Sequence, residues 1–307
     1  MNVIDEKFYG LMKEISGLSE KELYHRIRKE YDKVPLETRR SCMNFFNKFG
    51  YWGRLDEDKG IFEEIELKAA ALGRHTEDFV WLYERLCDYR SKKTLYAVLN
   101  NWYSYDFAST SQAKEYMFDA YFDLDLIPEC KNETIAELGA FTGDTVQSFV
   151  ANYGADCYKK IYCYEITPST FEKLEKNLSG YKNIVCRLAG VSDSAGAASL
   201  GKSAGGDSAN ALADGGNEVI VTTLDDDIKE PLTMIIADIE GGERKALVGA
   251  RGHILRDRPK MLWSVYHNNE DIYGIAQAVC GMRDDYKFYL RYKSSPIYPT
   301  EITLYCL

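Results

Sequence analysis

The chain is short of histidine, with four residues, and of proline, with seven, and none of its eight cysteines forms a CxxC pair. Without CxxC spacing, zinc-finger and thioredoxin-type readings lose their main support. Free, mostly buried thiols are therefore expected at Cys42, Cys87, Cys130, Cys157, Cys163, Cys186, Cys280 and Cys306. No HxH or HExxH spacing occurs, so no metal is expected. No run approaches the ~18 consecutive apolar residues of a membrane span. The first ten residues lack the apolar h-region of a secretory signal, which makes a cytoplasmic location the default expectation. A basic excess is also missing: Lys and Arg number 38 against 48 Asp and Glu, for a formal charge of −10. That balance argues for solubility and against a nucleic-acid partner. What is present is a 45% hydrophobic, 28% charged composition, enough for a sizeable core, in a length of 307 residues that allows two domains.

Up to about residue 115 there is no strand alternation and the pattern is helical. Phe8, Leu11, Met12 and Ile15 fall at i, i+3, i+4 and i+7, one apolar stripe. Ser19 to Glu22 has capping-box spacing ahead of Leu23 and Ile27. Pro35 is placed to start a helix and Gly50 to end it. Thr76 is the expected N-cap of a helix carrying Phe79, Leu82, Tyr83 and Leu86. Ser91 is expected to open another, with Leu95, Val98, Leu99 and Trp102. His25 and His75, alone among charged neighbours, read as surface histidines.

After Pro128 short β-rich runs alternate with helical patterns. Strands are expected at 134–138, 161–165, 184–188, 219–223, 234–238, 261–266, 286–291 and 302–306, with helices at 144–152, 168–178, 243–255 and 271–280. Such alternation predicts an α/β domain with a largely parallel sheet. The last two strands are joined only by residues 293–300, with Pro296 and Pro299, and are expected as an antiparallel pair at one edge. Residues 192–216, rich in Gly, Ala and Ser, read as a mobile loop or a short hairpin.

The chemistry gathers at the expected strand ends. A strand runs into Glu137-x-Gly139-Ala140-x-x-Gly143-Asp144-Thr145 and then into a helix. The glycines permit a tight turn with a ligand close to the backbone, at the strand end where open α/β sheets bind ligands. The spacing overlaps a dinucleotide fingerprint, but Asp144 would repel a pyrophosphate there, which disfavours a nicotinamide-dependent oxidoreductase. A ligand with a cationic centre and an ammonium group suits Glu137 and Asp144, and S-adenosylmethionine carries both. The alternative is a strand-to-helix turn with no ligand. Glu165, ending the second strand, can accept hydrogen bonds from both hydroxyls of a ribose. A third buried strand runs into Asp238, Glu240 and Glu243. Carboxylates there are costly unless solvated, paired or functional. Asp238 and Glu240 read as site residues, Glu243 as a helix N-terminal acid. His267 follows another apolar strand, where a general base and a structural histidine are equally good readings.

Taken in order, ELGAFTGDT, YCYEITPSTFEKLEKNL, TTLDD, ADIEGGERKALVGA and SVYHNNEDI resemble the FkbM family of S-adenosylmethionine-dependent methyltransferases. The resemblance runs over roughly residues 121–307, from Tyr121-Phe122 to the closing YLRY and EITLYCL. Glu137 stands where the family usually has Asp, Ile166 where Pro often follows the second-strand acid, and Ile236 where a Lys is usual. The resemblance implies a class I (Rossmann-like) methyltransferase sheet of seven strands with an antiparallel edge strand, one candidate strand in 190–223 lying outside it. It implies methyl transfer from S-adenosylmethionine to an acceptor hydroxyl, with a small molecule, glycan or secondary metabolite as acceptor. Glu137, Gly139, Ala140, Gly143, Asp144 and Thr145 would then hold the methionine part. Glu165 and Ile166 would hold the ribose, Gly190 and Val191 would border the adenine, and Asp238 would complete the cofactor set. His267 or Asp238 would take the acceptor proton and Glu240 would orient the acceptor. A non-catalytic S-adenosylmethionine-binding interaction protein is the alternative, supported by Ile236. The expected organisation is a helical N-terminal domain over 1–115, for acceptor selection or homodimerisation, ahead of the methyltransferase domain over 116–307.

Overall fold

Seven helices account for most of the first 113 residues: α1 (Val3–Ser16), α2 (Glu20–Lys33), α3 (Leu36–Phe49), α4 (Glu63–Arg74), α5 (Thr76–Arg85), α6 (Tyr89–Ser104) and α7 (Phe107–Ala113). The stripe of Phe8, Leu11, Met12 and Ile15 is buried along α1, and Ser19 and Glu22 form a capping box at the start of α2. Helix α3 follows Pro35 and stops at Gly50. Two expected caps differ. Thr76 lies inside α5, where its hydroxyl donates to the Leu72 carbonyl at 2.8 Å. Asp88, rather than Ser91, caps α6, because its carboxylate reaches the Ser91 N–H at 2.7 Å. A short antiparallel pair, β1 (Leu55–Asp56) and β2 (Ile61–Phe62), also lies in this region, too brief to alternate in the sequence.

The computed structural model describes residues 1–119, 121–201, 210–212 and 217–307. They fall into two compact units. The first holds Met1–Glu115, Val265–Gln277 and Lys287–Leu304; the second holds Tyr116–Ser264, Ala278–Tyr286 and Tyr305–Leu307. The core of the first unit is aromatic and contains a buried ion pair. Trp52 is fully buried and its indole N–H donates to the Tyr266 carbonyl at 2.7 Å. Lys68 and Glu64, one helical turn apart on α4, pair at 1% and 0% side-chain exposure. The Tyr105 hydroxyl donates to Glu64 at 2.8 Å, and its ring lies 4.6 Å from the Lys68 ammonium.

From residue 133 onward the elements run β3 (Glu133–Leu138), α8 (Asp144–Tyr153), β4 (Tyr158–Glu165), α9 (Pro168–Leu178), β5 (Ile184–Leu188), β6 (Gly190–Val191), β7 (Gly196–Gly201), β8 (Ala211–Leu212), β9 (Asn217–Thr222), α10 (Leu224–Asp227), β10 (Met234–Ala237), α11 (Glu243–Gly249), α12 (Arg251–Asp257), β11 (Lys260–Ser264), α13 (Asp271–Met282), β12 (Phe288–Tyr292) and β13 (Ile302–Cys306). The main sheet has seven strands in the order β12-β13-β11-β10-β3-β4-β5. Within the second unit β11, β10, β3, β4 and β5 are all parallel. Every residue of β3 and β10 is buried, as expected of central strands with both faces covered. Strand order reverses between β3 and β10, which makes their carboxyl ends the topological switch point.

The candidate strand over 219–223 lies outside the main sheet, as β9 of a four-stranded sheet ordered β6-β9-β7-β8. Strands β7 and β9 pair antiparallel, Gly196 opposite Val221. Of the loop or hairpin expected over 192–216, residues 202–209 and 213–216 lie outside the described residues. The single helix expected over 243–255 is two helices, broken at Ala250. The Asp225 carboxylate satisfies the N–H groups of Gly252 and His253 at 2.7 and 3.0 Å, so a new helix starts there. Gly249, the last residue of the first helix, must lack a side chain because a Cβ there would sit 2.0 Å from the Ser192 carbonyl oxygen. Among the described residues no helix is long and apolar enough to cross a membrane.

Candidate cofactor-binding site

The turn after β3 is pinned from two sides. The N–H groups of Gly139 and Ala140 both donate to the Tyr164 carbonyl, at 3.0 and 2.9 Å. Gly139 has φ +80°, and a Cβ there would lie 1.9 Å from the Asp238 carbonyl oxygen. The sequence needs glycine at this point because the turn passes directly against the end of β10. The next residue but one, Phe141, has a left-handed φ of 45° and donates its N–H to Glu165 Oε2 at 3.1 Å. Glu165 Oε1 accepts from the Thr167 N–H at 2.7 Å. Burial pushes the Glu165 carboxyl above its ordinary range, while these hydrogen bonds to the charged form pull it back.

Asp238 directly follows β10, and its Oδ2 accepts from the Tyr121 hydroxyl at 2.7 Å. The backbone then turns through Glu240 and Gly241 at φ 57° and 96°. Glu243, in the first turn of α11, is fully buried, and its carboxylate accepts from the Ile239 N–H at 2.9 Å, bracing the turn that leads into the helix. A left-handed backbone at non-glycine residues is uncommon and persists only where surroundings enforce it, a pattern frequent at functional sites.

These strand ends enclose a cavity of about 150 Å³. Of the residues picked out in the sequence, Gly139, Glu165, Ile166, Gly190, Val191, Asp238 and Glu240 line it. Glu137, Ala140, Gly143, Asp144 and Thr145 are not among its lining residues. His267 belongs to the first unit, where it is buried between the rings of Tyr51 and Tyr266, with centroids 5.1 and 4.2 Å away. The lining also includes Phe141, Tyr164, Asn210 and Lys245, which sequence reasoning had not assigned. Phe141 sits in the glycine turn and could have been suspected from it. Asn210, which donates to the Thr167 hydroxyl at 3.2 Å, follows a Gly- and Ser-rich stretch that gives no signal.

Glu137 is the largest departure from its expected environment. It is buried within β3, beside the Cys163 thiol, and desolvation pushes its carboxyl up to about 8; the Thr145 hydroxyl opposes this and Asp144 adds to it. The proton is therefore held in the folded chain at pH 7, whereas the unfolded chain releases it near pH 4.5. Between those limits the unfolded state binds fewer protons, so stability must fall as pH rises and level off above about 8. Glu137→Gln should remove this decline, roughly 2–4 kcal/mol across the window. Urea midpoints of both proteins at pH 5 and pH 8 test it; a parallel pH response in the two would disprove the buried proton.

No protein-family model matches the sequence, and no curated protein matches it. Among solved structures the chain is similar to the methyltransferase FkbM from Methylobacillus flagellatus, with 24% identity and a TM-score of 0.68 over 78% of this chain. The match takes in 62% of that chain, so the present sequence spans less than two thirds of the structure it resembles. Weaker likenesses are to an rRNA methylase from Streptococcus thermophilus (15% identity, TM-score 0.39, 59% of this chain and 89% of that one) and to Aeropyrum pernix fibrillarin bound to S-adenosyl-L-methionine (13%, 0.37, 58% and 67%). The strand order and the likeness to FkbM define a class I, Rossmann-like methyltransferase fold, preceded by a helical N-terminal region.

Proposed function

We propose that the protein is an S-adenosylmethionine-dependent methyltransferase acting on an acceptor hydroxyl of a small molecule or glycan. The observation that carries this reading is the convergence of Glu165, Asp238 and Glu240 with apolar Phe141, Ile166 and Val191 on one cavity at the switch point of the sheet. That donor set fits the cofactor: carboxylates for a sulfonium, an ammonium and a ribose diol, apolar side chains for an adenine. Bound S-adenosylmethionine supplies an electrophilic methyl group. In this reading Glu165 hydrogen-bonds the ribose, Ile166, Gly190 and Val191 border the base, and the turn at Gly139, on the cavity wall, faces the methionine part. Asp238 and Glu240 hold cationic charge and orient the acceptor, with Asp238 taking its proton. Fixing the acceptor oxygen in line with the departing sulfur supplies much of the rate. The helices within residues 1–115 serve acceptor selection or self-association.

Calorimetric titration with S-adenosylmethionine, S-adenosylhomocysteine and NAD tests the proposal. The first two should bind, and at 100 times the dissociation constant either should stabilise the fold by about 2.7 kcal/mol. Binding of NAD with neither adenosyl compound would refute it.

A further inference from the structure

Asp238 does not stand alone at the cavity wall. Its Oδ2 receives the Tyr121 hydroxyl at 2.7 Å, and the same phenol oxygen lies 3.1 Å from Ser264 Oγ. The three residues come from three separate places: the segment ahead of β3, the end of β10 and the last position of β11. A carboxylate can only accept, so the phenol proton goes to Asp238, and the Ser264 hydroxyl is left to donate to the phenol oxygen. The relay runs Ser264 to Tyr121 to Asp238. Tyr121 is buried and has a left-handed φ of 65°, a costly conformation for a bulky residue unless surroundings hold it there.

We propose that Tyr121 is a positioning residue: its hydroxyl fixes the Asp238 carboxylate toward the cavity, ready for the cationic end of the cofactor. The proposal rests on the methyltransferase reading of the cavity. An Asp carboxylate turns about its last bond unless hydrogen bonds hold it. A hydrogen bond to one oxygen stops that rotation, keeps the charge, and leaves the other oxygen oriented. Such a charge-assisted bond is stronger than a neutral one, and fixing the acceptor group before the ligand arrives removes ordering cost from binding. Tyr121 itself is not a cavity-lining residue, which separates positioning from direct contact.

A double-mutant cycle on the full chain separates positioning from mere packing. S-adenosylmethionine and S-adenosylhomocysteine are titrated calorimetrically into the unaltered protein, Tyr121→Phe, Asp238→Asn and the double variant. Tyr121→Phe should weaken binding by about five- to tenfold when Asp238 is present and by less than about twofold in the Asp238→Asn background. Ser264→Ala, a smaller change, should give a loss of about two- to threefold that also vanishes with Asp238→Asn. Equal losses in both backgrounds, or none in either, overturn the proposal while leaving the cavity reading intact. If the unaltered protein binds neither adenosyl compound, the cavity reading fails and this inference with it.

Discussion

Lys68→Met is expected to cost about 3–5 kcal/mol of folding stability, although it preserves the length and most of the volume of the side chain. The lysine is 1% exposed and its partner Glu64 is wholly buried, so removing the ammonium strands a carboxylate away from water. Tyr105 softens the loss by donating to Glu64 at 2.8 Å, but one neutral donor does not replace a cation. The pair also sits in an aromatic setting, with the Phe46 and Trp52 rings 5.6 and 5.7 Å from the ammonium. Glu64→Gln combined with Lys68→Met should recover much of the loss, since no unpaired charge remains. Urea unfolding of the three proteins gives the comparison. A single variant within about 1 kcal/mol of the parent would mean that water reaches the pair.

Gly139→Ala should weaken S-adenosylhomocysteine binding by at least about a hundredfold and destabilise the second unit. The added Cβ would lie 1.9 Å from the Asp238 carbonyl oxygen, a backbone atom that no rotamer change can move aside. Relief requires β3 and β10 to separate at the carboxyl ends that form the cavity wall. The φ of +80° adds strain for any L side chain. Calorimetry reads the affinity, and circular dichroism shows whether the sheet persists. Binding at the parent's affinity would place the ligand away from this turn.

The parts of the fold that could be read in advance are those specified by neighbouring residues. Strands β5 and β13 and helix α9 have the bounds expected from the sequence, because a β-branched run or a proline-led amphipathic stretch marks them locally. What escaped depends on distant partners. The break at Ala250 exists because Asp225, some two dozen residues earlier, caps the second helix. The choice of Asp88 over Ser91 as cap follows from a side chain that also receives Arg291 at 2.7 Å. Within the site, the carboxyl ends of β3, β4 and β10 meet at the cavity because parallel strands put those ends on one edge, whereas His267, expected after β11, lies in the first unit. Periodicity could not tell which way a side chain faces at those ends. Glu137 turns into the sheet interior, whereas Glu165, at the end of the next strand, reaches the cavity. Tyr121 stands out in the sequence only as the start of the family resemblance; its hydrogen bond to a residue 117 positions away is what gives it a role.

The ion pair between Arg291 and Asp88 has a bearing on how the protein is made. The two residues are 203 positions apart, yet both belong to the first unit, where the Leu290 N–H also donates to the Ser91 hydroxyl. A ribosome delivers helices α1 to α7 before the sheet, but Asp88 and Ser91 must wait for β12 before their hydrogen bonds with Arg291 and Leu290 close. The whole parallel sheet around β3 emerges in the interval. The order of synthesis and the order of completion therefore differ, and helices that emerge ahead of the sheet are finished after it.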